Sequence, residues 1–461
     1  MMTWHTLFAV LIAQTLSGKS AFTPPARTEF QRTQRSPVLS QWPSRSTVRR
    51  NLVELQFGWP QPDKHWYDLL ARPELLSRSL LQTFKVPKLA DEVKERYVER
   101  QTLEAAVREH INVSVPRKYM IVVGPRGAGK TSLIRRVLLS REKVVYVQLT
   151  SSSQKIADVF RAKFGLSKDV EVDLKKIFLP FEKSAGADKP VVVVEIDSQV
   201  DAGSVTTQSQ ELKSVVSDEQ LAHGILVLSD ANAAFKLTAD EERQQFLWVG
   251  DLSETETNAF LDKFDVLSTR GEAHDGPNSM VRRRLIDEIG TNAAFIVNVA
   301  TAAQKNAAEI LAHIGNCSDL ERLEAKSNAE RAAVEDYCQR ELFEATEVVK
   351  RSTTIIPTTQ LIMRKLLASG DGTILPSEIS DVSLGNLMTR LKNEKLRAVT
   401  YNSEAKRLTW YSKAHETAAR AYFEEEDRRR RAEEEEEEHS RRARQWFGLR
   451  RFFMKKKSAT K

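Results

Sequence analysis

The sequence predicts an α/β chain: a five-stranded parallel sheet domain, then a helical stretch, then a small unit of three helices and a β-ribbon. Three observations predict this order. Five short apolar runs between residues 119 and 249 are separated by helical or loop stretches, the pattern of a parallel sheet with crossover helices. A glycine-rich loop joins the first run directly to a helix. From residue 253 the apolar period becomes helical, and after residue 358 short helices give way to two strand-like runs around a turn. With 461 residues and 41% hydrophobic content, the chain can bury more than one core.

The strands are expected at Tyr119–Val123, Val144–Leu149, Val191–Ile196, Ile225–Leu228 and Phe246–Val249. Between the first strand and the helix that starts at Ser132 stand Gly124, Pro125, Arg126, Gly127, Ala128, Gly129, Lys130 and Thr131. They fit G-x-x-x-x-G-K-[ST] in the strand–loop–helix setting that the chemistry needs. The glycines let backbone N–H groups converge on phosphate oxygens, and the helix N-terminus adds partial positive charge. Lys130 is expected to reach the β- and γ-phosphates, and Thr131 to offer its hydroxyl to Mg²⁺. ATP and Mg²⁺ are the expected cofactors. The third strand ends Glu195-Ile-Asp197-Ser198.

This strand sequence resembles the core of the additional-strand P-loop NTPases: AAA+ proteins, archaeal-type ATPases and STAND signalling ATPases. The resemblance covers residues 97–411, and only the loop motif is highly specific. It implies acids at the end of the third strand and a polar sensor after the fourth. Here the usual Asp-Glu pair is absent. Aligned on the apolar run, Glu195 is the metal-side acid, beside Thr131. Aligned on the trailing Glu-Ile-Asp-Ser, Glu195 is the catalytic base and Val194 replaces the metal acid. Asp197 is a candidate assistant in either register. Without a second adjacent carboxylate to orient water, slow hydrolysis is expected.

The resemblance also implies a role near the adenine for Arg100, in the box Tyr97–Glu104, where Glu99 replaces the family's glycine. It puts Ser229 and Asp230 at the sensor position and Arg243 where a trans-acting arginine is often found. Ser253 and Glu256 have capping-box spacing and open the expected helical lid. Gly290-Thr-Asn-Ala293 takes the place of the family's G-G-x-P turn. Arg390, Lys392 and Lys395, with Lys406 and Arg407 on the ribbon, are the cations a winged helix would turn to nucleic acid.

Charge is uneven. Of the net +7, residues 1–50 supply most, with seven basic residues against Glu29 alone. The remainder is near neutral, so overall basicity does not argue for nucleic acid, and protein docking is the favoured use of the winged helix. Leu7 to Leu16 suits a signal-peptide core, and an acid-poor, Arg- and Ser-rich stretch follows. The junction Ser20-Ala21-Phe22-Thr23-Pro24 resembles the bipartite plastid presequences of algae whose plastids lie inside secretory membranes. A plastid location is expected, with secretion or an endomembrane location as the alternative. Cys317 and Cys338 have no partner at metal-ligand spacing. At the other end, charge blocks over 424–438 suit a solvated helix, whereas 441–461 carries nine basic residues, no acid, and Trp446, Phe447, Phe452 and Phe453. That composition suits an anionic membrane surface.

The expected domains are a signal peptide (1–21), a transit-peptide-like segment (22–50), an N-terminal extension (51–95), the ATPase core (96–250), a helical lid (251–351), a winged helix (352–415) and a charged helical tail (416–461). The resemblance implies an ATP-binding switch that docks protein partners, or a second copy of itself. A nucleic-acid-binding, initiator-like ATPase and a nucleotide-binding scaffold without turnover stand as alternatives. A reporter fused after residues 1–50 is expected to enter the plastid and to stop short of the stroma when Phe22→Ala is introduced; secretion of the unmodified fusion contradicts the presequence reading.

Overall fold

The computed structural model describes residues 62–88, 97–197, 200, 202–229, 234, 237, 242–269, 276–313, 318–379, 383–393 and 396–458. The presequence, Asp230, Cys317 and Lys395 lie outside them, as does the side chain of Lys392. In chain order the first elements are α1 (Pro62–Leu70), α2 (Pro73–Thr83), α3 (Gln101–Asn112), β1 (Tyr119–Val123), α4 (Lys130–Leu138), β2 (Val144–Leu149), α5 (Ile156–Lys163) and α6 (Leu174–Phe178). Then come β3 (Val191–Ile196), α7 (Ala202–Lys213), β4 (His223–Leu228) and β5 (Gln244–Trp248).

The five strands form one parallel sheet in the order β2-β3-β4-β1-β5. Every residue of β1, β3 and β4 is buried, as continuous apolar runs covered on both faces require. One face packs on α3 and α4 through Val107, Leu133, Ile134 and Leu138. The other packs on α1, α2, α5 and α7 through Leu76, Leu80, Phe160 and Leu212.

The expected extension over 51–95 is thus in part core. Trp66 and Leu69 on α1, and Leu76 and Leu80 on α2, are spaced to share a helix face, and all four are buried against the sheet. Phe84 stacks on Phe160 with centroids 4.4 Å apart. Its carbonyl accepts from the Tyr146 amide at 2.9 Å, which covers the β2 edge.

After the sheet come α8 (Glu254–Lys263), α9 (Pro277–Glu288), α10 (Ala293–His313) and α11 (Asp319–Ile355). Ser253 and Glu256 make the expected capping box. These helices share a second core of Leu261, Leu285, Ile296, Val299 and Val334. Cys338 is buried there, and burial pushes its thiol up to about 12, which leaves it an inert packing group.

The last part holds α12 (Pro357–Ala368), β6 (Thr373–Ile374), α13 (Leu384–Asn393), β7 (Val399–Asn402), β8 (Arg407–Trp410) and α14 (Lys413–Ser458). Its strands form an antiparallel sheet ordered β6-β8-β7. Its core takes Ala345 and Val349 from α11 and Ala414, Ala418 and Phe423 from α14, so it reaches beyond residues 352–415 on both sides. At the β7–β8 turn, Glu404 accepts from the Trp248 amide at 2.7 Å and so occupies the β5 edge. Helix α14 extends about 69 Å at the α-helical rise, with ion pairs such as Arg429–Glu433 and Arg442–Glu438 along its solvated stretch. Trp446 and Phe447 on it are exposed. No helix among the described residues is long and apolar enough to cross a membrane.

Phe84→Ala is expected to destabilise the chain by about 3–5 kcal/mol in urea unfolding, because it empties a stacked core site. Tyr67→Ala, at a residue 61% exposed on α1, is expected to stay within about 0.5 kcal/mol.

Candidate functional site

The loop after β1 lies at the C-terminal end of the sheet, and its shape follows from two close approaches. A Cβ on Gly124 would sit 2.0 Å from the Val249 carbonyl oxygen. One on Gly127, at φ +83°, would sit 2.6 Å from the Ala294 Cβ and 2.7 Å from the Asn292 Oδ1. The Val249 backbone on one side and the Asn292 and Ala294 side chains on the other therefore leave no room for a Cβ at these positions. Gly129, at φ +87°, turns the chain into α4. Lys130 is buried, and its Nζ donates to the Gly124 and Pro125 carbonyls at 2.9 and 2.8 Å, which holds the cation at the centre of the loop.

Thr131 Oγ1 donates to Glu195 Oε1 at 2.6 Å. Of the two alignments, this geometry matches the one that puts Glu195 on the metal side. Glu195 Oε2 accepts from the Tyr146 hydroxyl at 2.6 Å and from Arg135 at 3.1 Å. Burial, then the charge of Glu195 and the bond to it, push the Tyr146 hydroxyl far above its usual range, so it stays a donor. Arg135 and Tyr146 were not singled out from the sequence. Arg135 stands four residues after Thr131 and so shares its helix face, a spacing that offered the signal.

A cavity of about 580 Å³ opens over the loop. Gly127, Lys130, Thr131, Ser132, Asp197 and Ser229 line its polar part. Val98, Leu252, Phe260, Phe264 and Val297 line an apolar part, with the Phe260 and Phe264 rings stacked 5.0 Å apart. A lining that combines these polar groups with rings suits a ligand with a charged part and a flat apolar part. Thr131 and Glu195 supply hard oxygens of the kind Mg²⁺ selects. Among the described residues no group of three or more His, Cys, Asp or Glu side chains is placed to hold a metal. Two protein oxygens fit a cation that takes the rest of its shell from phosphates and water.

Arg100 also lines the cavity; its two terminal nitrogens bond main chain, and its Nε faces the Glu256 carboxylate at 3.7 Å. Arg100 donates to the carbonyls of Ala128 at 3.2 Å, Gly250 at 3.1 Å and Asp251 at 2.8 Å. It braces the loop to the linker that enters the lid. Asn292, also unforeseen, joins the Arg126 carbonyl to Asp251, and the Ala294 amide donates to the Gly127 carbonyl at 3.0 Å. Burial raises the Asp251 carboxyl above its usual range, opposed by the Asn292 bond and the Arg100 charge. Arg243 is not brought to the site. It precedes β5 at the opposite end of the sheet, roughly 16 Å from the loop end, and pairs with Asp218. The reason is strand polarity: in a parallel sheet, residues before a strand lie away from the loops that follow strands.

No protein-family model matches the chain, and comparison with curated proteins gives no match. Among solved structures, a Walker-type ATPase of Pyrococcus abyssi aligns at TM-score 0.42 and 14% identity, over 73% of this chain and 99% of that one. A structure described as the basis for katanin self-assembly aligns at TM-score 0.30 and 13% identity, over 55% and 99%. Both scores are below 0.5, and the P-loop fold rests on the strand order and loop geometry of this chain.

Gly127→Ala is expected to cost more stability than Gly129→Ala by on the order of 1–3 kcal/mol in chemical unfolding. Both positions have positive φ, but only the first would press on the lid, since a Cβ on Gly129 meets nothing within 4 Å.

Proposed function

We propose that the chain binds ATP with Mg²⁺ at this loop, hydrolyses it slowly, and uses the bound state to set the lid. The observation that carries the reading is the convergence of Lys130, Thr131 and Glu195 beneath a cavity that ends in apolar rings. Lys130 and the loop amides would hold the phosphates, Thr131 and Glu195 would hold the cation, and the Phe260 side would take the base. Glu195 faces Thr131, and Asp197 lines the cavity without being adjacent to it in sequence, which supports slow rather than fast turnover.

We read the three-stranded C-terminal unit as a winged helix that docks protein. Arg407, one of its candidate phosphate contacts, is already bonded to Asp371 at 2.8 Å and Thr373 at 2.9 Å, which favours that reading over nucleic acid. The exposed Trp446 and Phe447 keep an anionic membrane surface in view as a second docking target for the tail.

Lys130→Ala is expected to abolish binding of labelled ATP. In the same preparation Glu195→Gln is expected to abolish turnover while Asp197→Asn retains a measurable rate. Full binding by the Lys130 variant places the site elsewhere, and loss of turnover in the Asp197 variant alone makes Asp197 the key acid.

A further inference from the structure

Glu195 is engaged on both oxygens by three side chains from two elements. Thr131, at the start of α4, takes Oε1, while Tyr146 on β2 and Arg135 one turn further along α4 take Oε2. The two Oε2 donors are themselves joined. Arg135 Nε donates to the Tyr146 oxygen at 3.3 Å, and the guanidinium stands 5.3 Å from that ring's centroid. The ion pair is largely shielded, with the Arg135 and Glu195 side chains 19% and 10% exposed. β2 and β3 are paired in register through this region, with Tyr146 opposite Val193 and Gln148 opposite Glu195, so the arrangement is set by the sheet and not by one flexible side chain.

Two consequences follow from charge and geometry. The donors on Oε2 fix the carboxylate's rotation, so that Oε1 alone faces Thr131. The guanidinium also offsets much of the negative charge that would draw a divalent cation to this point. We propose that Arg135 and Tyr146 are positioning residues that hold Glu195 for Thr131 and weaken the site's pull on Mg²⁺, so that nucleotide affinity depends little on the metal. This deepens the nucleotide reading above and rests on it. The expected order of effect is Arg135 first, because it carries the charge, and Tyr146 second, because it carries only a hydrogen bond.

The test is direct binding of a fluorescent ATP analogue to the full chain, with Mg²⁺ and with a chelator, read as the ratio of the two affinities. The unmodified chain is expected to gain less than roughly tenfold from Mg²⁺. Arg135→Gln is expected to raise that gain by roughly tenfold, a change on the scale of removing one neighbouring charge. Tyr146→Phe should raise it less, and Arg135→Lys, which keeps the charge, should stay near the unmodified chain. A ratio unchanged in Arg135→Gln and Tyr146→Phe, or a strong Mg²⁺ requirement in the unmodified chain, overturns the inference. If the unmodified chain binds the analogue in neither condition, the nucleotide reading itself falls and takes this inference with it. A merely structural role for Arg135 would lower both affinities together and leave their ratio where it was, which also counts against the proposal.

Discussion

The glycine loop is clasped on two sides, by the Val249 backbone and by the Asn292 and Ala294 side chains, and the seat of the helices after the sheet depends on that clasp. Gly124 lies against the Val249 carbonyl at the end of β5, and Gly127 lies against Asn292 and Ala294 at the start of α10. Arg100 adds a third fastening by tying the Ala128 carbonyl to those of Gly250 and Asp251. Each fastening acts on main-chain atoms, so Pro125 and Arg126 contribute through their carbonyls and not through their side chains. A ligand that draws the loop amides toward itself therefore pulls on the linker and on α10 as well. The loop and the helices after the sheet share hydrogen bonds directly, through the Ala294 amide and the Asn292 side chain.

From the lid, the path to the C-terminal unit is a single helix. Val334 and Cys338 of α11 belong to the lid core, and Ala345 and Val349 belong to the next core. The helix runs 37 residues without glycine or proline, so it offers no ready hinge between the two. The C-terminal unit then returns to the sheet, where Glu404 meets the Trp248 amide two residues before Gly250.

Much of this was legible in the sequence where one local rule was enough. The apolar runs of β1, β2 and β3 made their bounds readable, since each is apolar apart from one polar position near its end in β2 (Gln148) and in β3 (Glu195). β4 and β5 begin earlier than expected, at His223 and Gln244, where polar residues are buried by partners distant in sequence, such as the Gly186 carbonyl for His223 and the Tyr119 hydroxyl for Gln244. The helices α1 and α2 have readable spacing, but nothing local says that Trp66 and Phe84 end inside the sheet domain. β6 is two residues long and exists through its pairing with β8. At the site, the loop motif was sufficient for Lys130 and Thr131. Glu195 was named in either alignment of β3, but its distance from Thr131, 2.6 Å between side-chain oxygens, comes only with the fold. Arg100 was expected near the site and lines the cavity, but its bonds to carbonyls 28 to 151 positions away could not be read locally.

The shared helix α11 bears on how such a chain can be divided or recombined. A cut near residue 351 would leave Ala345 and Val349 on one piece and their packing partners Ile356, Ile362 and Leu366 on the other, with an apolar face open on each. The C-terminal core therefore cannot be exchanged as a cassette without carrying the last three turns of α11 along. On the other side, the first turns of α14 belong to the same core, so the tail is no appendage that can be trimmed back to residue 412. Parts lists drawn from sequence composition put the joints where the residues change character, whereas the physical joints lie where few apolar contacts cross.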